Sequence, residues 1–490
     1  MALSLKELPG SLQAVLENTK PIATTLNGRL PLFVLPISGS LSSLPDGQAE
    51  KVLNDLAKRG IGYSVNWNHG SFDASLKEGL RIGELQQRLG RMVSVHATGC
   101  LYSFFDGTEK TQHIDAAGRP FGEISFGGTM GCPFALEHRI PVIRQRVEAF
   151  LKQYKAAGVD VDFIFADWEI DGPIEWNDAW ASSKRCRRCR EHVPDIHDFR
   201  SFQTKLREVR SRLQREAFSD NVTRYFPEAL VGNYAVYPHN GHRYWYDYFE
   251  RETPDAPAMT DQRARYREWA HEFEPCGYTF AMPVVYTWYP TFGWYDFEPK
   301  DYRWFYNMLL VASNAGQHTS RQTPIIPFVH WHTTAPPDNP DPSVEQFSRE
   351  NYQELLWHTL LRGHDTFFLW CTGPELATEI QLVHEVYSES LQYSGFIDRG
   401  VPVQFEVPSR PGPVVSGLRL GNRVLARRTD FGTETGNETL ALAGGGEVSI
   451  AAKRGMQILT VEQTPGHPGI LTDHNGRLRF PIGSYEFPGD

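Results

Sequence analysis

Val159-Asp160-Val161-Asp162-Phe163-Ile164-Phe165-Ala166-Asp167-Trp168-Glu169-Ile170-Asp171-Gly172 starts apolar and ends acidic. Read as a strand over Val161–Glu169, its side chains alternate between two faces. Phe163, Phe165, Asp167 and Glu169 then share one face, and Asp162, Ile164, Ala166 and Trp168 share the other. A packed aromatic floor rising to two carboxylates is what the inward face of a β-barrel needs at its C-terminal mouth. Asp167 and Glu169, two residues apart, are separated by roughly 6.5–7 Å of backbone rise.

Seven further apolar runs resemble this one: Leu32–Ile37, Gly62–Trp67, Met92–Ala97, Leu230–Tyr237, Phe280–Tyr286, Ile325–Trp331 and Thr366–Trp370. Helical patterns lie between them at Ala49–Lys58, Leu76–Leu89, His138–Ala157, Phe199–Arg215, Tyr302–Asn314 and Asn351–Leu361, and Glu375–Gln392 closes the series. Strands alternating with helices imply a parallel sheet, because each return to the same edge needs a crossover. Eight such strands predict an α/β fold of the (β/α)8 TIM-barrel type. A doubly wound open sheet would favour a Gly-rich phosphate turn after its first strand; the chain has Ser38-Gly39-Ser40-Leu41 instead. Long segments follow strands at Thr98–Phe134, Ile170–Ile196, Pro238–Met259 and Thr287–Lys300, which places them at the mouth, where barrel enzymes carry their sites.

Residues 1–396 form the predicted barrel. Over 397–463 short β-like runs separated by Gly, Asn and Pro predict a small C-terminal β-sandwich, and 464–490 has no assigned role. The 490 residues carry a net charge of −10 and no long basic run, which argues against a nucleic-acid surface. No run approaches the roughly 20 apolar residues of a membrane helix. The N-terminus lacks the basic start and apolar core of a signal peptide, so the protein is expected inside the cell, or outside it with its signal removed. Aromatics are abundant, at 12 Trp, 20 Tyr and 29 Phe; they suit both sugar stacking and a large barrel core.

Neighbouring carboxylates repel, leaving one ionised and one with a raised pKa. Cleavage of a glycosidic bond needs such an acid together with a negative partner. Glu169 is therefore the candidate acid/base and Asp167 the orienting or stabilising carboxylate. The competing reading has both acids capping a helix or pairing with an arginine. Asp171 and Glu175 lie close enough to reach substrate. Tyr234, Tyr237, Tyr286, Trp288, Tyr289, Trp331 and Trp370 fall at or past strand ends, where they serve as sugar platforms or as core. His330 and His332 flank Trp331, and Asn66 ends strand two.

Aligned on Glu169, the chain reads Asp162-x-x-Phe165-x-Asp167-x-Glu169. This resembles the chitinase-like and hyaluronidase-like glycosidases, with Phe165 where the chitinase pattern has its middle Asp. Gly232–Pro238 and Leu355–Trp370 are similar to the strand-five and last helix–strand segments of the hyaluronidases. The resemblance implies a retaining glycoside hydrolase of poly- or oligosaccharides at N-acetylhexosaminides. The substrate's own acetamido oxygen would attack, Asp167 would orient it and Glu169 would protonate the leaving group. Strand seven ends without a carboxylate, at Val329-His330-Trp331-His332, which agrees with a nucleophile supplied from elsewhere. The alternatives are a non-acetamido sugar cleaved by inversion or with Asp171 or Asp296 as base or nucleophile, and a non-catalytic carbohydrate-binding barrel.

No cofactor and no catalytic metal is expected, since His69, His96, His330 and His332 lack a ligand spacing. Cys186-Arg187-Arg188-Cys189, with His192 beyond, shows half of a zinc site. Its other half is not visible, Cys100 and Cys132 being the nearest sulfurs to join it. The pattern reads instead as a turn opening the next helix.

Overall fold

The computed structural model describes residues 7–24, 26, 28–101, 105, 108–122, 131–168, 177–243, 271–286, 299–333, 345–443 and 445–462. Eight short parallel strands carry the N-terminal part: β1 (Phe33–Val34), β2 (Ser64–Asn68), β3 (Ser94–Ala97), β4 (Phe163–Ala166), β5 (Leu230–Asn233), β6 (Val284–Val285), β7 (Phe328–Val329) and β8 (Phe368–Leu369). They form two four-stranded sheets, ordered β2-β3-β4-β5 and β1-β8-β7-β6. Hydrogen bonds join the sheets at both margins. Leu32 and Gly60–Gly62 exchange bonds of 2.9 Å between β1 and β2, while Thr279 N–H reaches Val231 O at 2.9 Å and Met282 N–H reaches Val236 O at 3.1 Å between β6 and β5.

Each expected strand overlaps an observed one, but the ladders are shorter. Pro36, Pro283 and Pro327 have no N–H to give a ladder. Leu35–Ile37 accordingly turns into a 3-10 helix, and β6 and β7 begin only after their prolines. The expected helices appear at Asp46–Ala57, Phe72–Arg88, Arg139–Ala157, Phe199–Gln214, Lys300–His318, Arg349–Leu361 and Leu376–Ser390.

Strand parity holds in β4. Phe163 and Phe165 lie in an inner cluster with Phe33, Phe280, Met282, Ile326, Phe328 and Phe368. Ile164, Ala166 and Trp168 belong to the large outer core shared with the helices. Rings pack through the inner cluster, Phe33 stacked on Phe163 at 4.2 Å and Phe165 tilted against Phe368 at 4.4 Å. Gly232 of β5 makes room for this floor, since a Cβ there would sit 2.5–2.8 Å from three Phe280 ring carbons. Gly232→Ala is therefore expected to cost about 1–3 kcal/mol through overpacking, read as a lower Tm; an unchanged Tm would show that Phe280 moves freely.

After Arg399 the pattern changes to antiparallel. Strands β9 (Val401–Pro402), β10 (Pro413–Leu420), β11 (Arg423–Asp430) and β14 (Gln457–Thr460) make one sheet, and β12 (Glu438–Ala441) pairs with β13 (Glu447–Ile450). Val424, Ala426, Leu442, Val448, Ile450 and Val461 form an apolar cluster across them. The long strand β10, interrupted in sequence by Gly417, is one that residue pattern alone passes over.

The helix Arg349–Leu361 is buried on several sides because it packs against the helices Lys300–His318 and Leu376–Ser390 and against this antiparallel unit. Two of its buried polar side chains are matched across that contact. Glu354 takes two 2.7 Å bonds from Arg427, and His358 contacts Ser416 at 2.7 Å and Thr429 at 3.0 Å. No helix among the described residues is long and apolar enough to cross a membrane.

Candidate functional site

The C-terminal ends of β2, β3 and β4 are in register: Asn66 pairs with His96, and His96 with Phe165. Side chains at one level of a parallel sheet point the same way, and the His96 ring stacks on Phe165 at 4.7 Å. Just past β4, a side chain replaces the ladder: Asp167 N–H donates to Thr98 Oγ1 at 2.8 Å. Thr98, having accepted there, donates its own proton to His96 Nε2 at 2.6 Å. His96 Nδ1–H is then left to donate to Asn66 Oδ1 at 3.1 Å. Burial lowers the His96 pKa to about 4, so the imidazole is neutral, as this chain of bonds requires.

The peptide between Asp167 and Glu169 is held from the other side. Trp168 N–H donates to Asn233 Oδ1 at 3.0 Å, and Asn233 Nδ2 donates back to Trp168 O at 3.2 Å and to Gln214 Oε1 at 3.0 Å. Tyr278 OH also donates to Gln214 Oε1 at 3.0 Å. The backbone of Asp167 and Trp168 is thus held by Thr98 on one side and by the buried Asn233 on the other. Among the described residues, Asp167 Oδ1 is buried without a hydrogen-bond partner. Burial raises the Asp167 carboxyl to about 6. A desolvated carboxylate on a fixed backbone, with an oxygen to spare, can accept a proton or a substrate N–H near neutral pH.

Above the aromatic floor, Tyr234 OH and Tyr286 OH lie 3.0 Å apart, and Tyr286 stacks on Trp370 at 5.5 Å. All three are half-buried, and Asn66 is exposed. These four, with Asp167, Trp331 and His332, are the sequence-selected groups left partly open at strand ends. Two others fall into packing. Tyr237 is fully buried, donating its OH to Arg243 O. His330 is fully buried against Glu379, with Nδ1 2.8 Å from Oε1. Trp331 is half-buried and donates Nε1–H to Phe347 O at 2.8 Å. His332 is half-buried and pairs with Glu375. Glu169, Asp171, Glu175, Trp288, Tyr289 and Asp296 lie outside the described residues.

Strand seven has no carboxylate of its own, yet two are brought to it. Glu375 sits just before the helix Leu376–Ser390 and Glu379 lies one turn in, and their carboxylates meet the histidines that follow β7. Burial alone would raise Glu375, but hydrogen bonds from His332 and Thr372 hold it below its ordinary value. Burial raises Glu379 despite His330. The ligand atoms of His330, Glu375 and Glu379 fall within 4.8 Å of one another, close enough for a cation. Sequence reasoning missed Thr98, Asn233, Gln214, Glu375 and Glu379. Only the i, i+4 spacing of the two glutamates, in the first turns of a predicted helix, gave any signal.

No protein-family model and no curated protein matches the chain. Among solved structures it is similar to a GH36 alpha-galactosidase from Geobacillus stearothermophilus in complex with 1-deoxygalactonojirimycin, at 11% identity and TM-score 0.40, covering 93% of this chain and 58% of that one. It is also similar to the isomaltulose synthase SmuA from Protaminobacter rubrum, at 10% identity and TM-score 0.40, covering 90% and 98%. A maltogenic alpha-amylase, AmyB, from Thermotoga neapolitana gives 12% identity and TM-score 0.40, covering 89% and 99%. The chain spans little over half the length of the alpha-galactosidases it matches. At such low identity and score, the chemistry has to be read from the residues themselves.

Proposed function

We propose that the chain is a glycoside hydrolase. Its two parallel sheets would close into a (β/α)8 barrel over residues 1–396, with a small C-terminal β-sandwich over 397–463. The bonds at both sheet margins support the closure. The observation that carries the function is Asp167: a half-buried carboxyl raised to about 6 by burial, on backbone held by Thr98 and Asn233 at the end of β4. Tyr234, Tyr286 and Trp370 supply aromatic surface of the kind that holds sugar rings.

Within this reading Glu169, two residues on, is the acid/base. The D-x-E pair supports retaining, substrate-assisted cleavage at an N-acetylhexosaminide, with Asp167 accepting the acetamido N–H. Glu169→Gln is expected to lower hydrolysis of a responsive polysaccharide by about 10²–10⁴-fold while sugar binding persists. Product analysis over a polysaccharide panel, for wild type and variant, tests this; undiminished hydrolysis by the variant removes Glu169 from the mechanism. A thiazoline mimic of the cyclised acetamido group is expected to inhibit. Activity confined to sugars with a free 2-hydroxyl would instead favour a protein nucleophile. Glu375, held in its ionised form beside β7, would be the first carboxylate to replace.

A further inference from the structure

Three cysteines and one histidine meet away from the sugar site. Cys132 Sγ lies 3.5 Å from Cys189 Sγ and 3.9 Å from Cys186 Sγ, and Cys189 Sγ lies 3.8 Å from His113 Nδ1. All four ligand atoms fall within 4.8 Å of one another, and all four residues are buried. A tetrahedral zinc with Zn–S of about 2.3 Å and Zn–N of about 2.0 Å sets its ligand atoms roughly 3.5–3.8 Å apart. The separations in the structure match that geometry, whereas a disulfide would draw two sulfurs to about 2.05 Å and strand the third beside an imidazole. We propose that His113, Cys132, Cys186 and Cys189 form a structural zinc site.

The surroundings are built for it. Ile114 N–H points at Cys186 Sγ at 3.5 Å, a bond that a metal thiolate accepts and that helps fix its direction. Gly131 lets the Cys132 segment lie flush on the His113 strand, because a Cβ there would meet Thr111 O at 2.1 Å; Cys132 N–H donates to that same oxygen at 2.8 Å. His113 stacks on Phe121 at 5.0 Å within the small hairpin His113–Ile114 and Pro120–Phe121. Arg188, inside the C-x-x-C, donates to Gln112 O at 3.1 Å next to His113. A separate apolar cluster of Val193, Ile196, Phe199, Phe202 and Leu206 seals the sulfurs.

Four protein ligands leave no open position, which marks a structural and not a catalytic metal. Binding converts three thiols to thiolates and passes their protons to solvent. His113 and Cys132 come from the segment after β3, Cys186 and Cys189 from the segment after β4. The ion therefore staples together the two long segments nearest Asp167. His192 takes no part, since it stacks on Phe134 at 4.9 Å, and Cys100 is buried in the main core.

Elemental analysis of the full chain, purified under reducing conditions without added metal, is expected to find about one zinc per chain. An organomercurial should release that zinc into a chromophoric chelator, and cobalt exchanged into its place should give the visible spectrum of a tetrahedral, thiolate-rich site. Cys189→Ser and His113→Ala should lose most of the zinc. If those variants fail to fold, the wild-type release and cobalt spectrum still decide. A zinc-free protein that takes up neither zinc nor cobalt, a disulfide among these cysteines, or iron in place of zinc would each overturn the assignment.

Discussion

Asp167→Asn is expected to lower hydrolysis at least about 100-fold and, at the same time, to make the protein more stable at pH 7. The second effect follows from the carboxyl's position. Its pKa is raised by burial from 3.8 to about 6, so the folded state holds the proton more tightly than the unfolded chain. Whatever stability this group contributes is present below the unfolded value and is lost as pH rises through about 6. At pH 7 the ionised, half-buried carboxylate works against folding. Asparagine, isosteric and neutral, removes that cost, which with allowance for partial exposure is about 1–2 kcal/mol. The gain should be seen in thermal unfolding at pH 7 and should fade as pH falls below the unfolded value of 3.8, where both states of the wild type bind the proton. A variant equally active, or less stable at pH 7 by a comparable amount, would show that Asp167 is an ordinary structural carboxylate. Gain of stability with loss of activity is the signature of a group retained for function at the expense of the fold.

The second large effect lies far from that site. Arg362 is fully buried where the strands and helices of the N-terminal part meet the antiparallel unit. Its guanidinium donates to Ser416 Oγ at 2.8 Å, to Phe405 O at 2.6 Å, to Glu406 O at 2.9 Å, to Val415 O at 3.2 Å and to Ser313 Oγ. Arg362→Met fills similar volume but leaves these acceptors buried without their donor, and each orphaned group costs about 1–3 kcal/mol. Relaxation and entering water recover part of that, so a net loss of about 3–5 kcal/mol is expected. In a chain of this size it should appear as a fall in Tm of roughly 5 °C or more. Unfolding followed by circular dichroism and by tryptophan fluorescence would also show whether the two parts still melt together. A Tm within a degree of wild type would mean that the carbonyls find other partners and that Arg362 is not the clasp.

What residue pattern alone determined follows from local rules. Alternation along Phe163–Ala166 fixed which face carries the aromatic floor, because strand side chains have a period of two whatever the neighbours are. The apolar runs and amphipathic stretches gave the order of strands and helices for the same reason. Strand ends were less legible, because Pro283 and Pro327 stop the ladder inside runs that look continuous by hydrophobicity. Contacts between segments distant in the chain were not legible. Thr98 and Asn233 clamp the Asp167 peptide only because β3, β4 and β5 lie side by side. Glu375 and Glu379 reach His332 and His330 only because the segment after β8 folds over β7. Tyr237 and His330, placed at strand ends by sequence, are turned into the core by packing that no local signal encodes. Cys186-x-x-Cys189 has the spacing of half a metal site, yet with no second half in view it read as a turn opening the next helix. His113 and Cys132 joined it from the segment after another strand, since ligand geometry is set by distance in space, which sequence separation does not constrain.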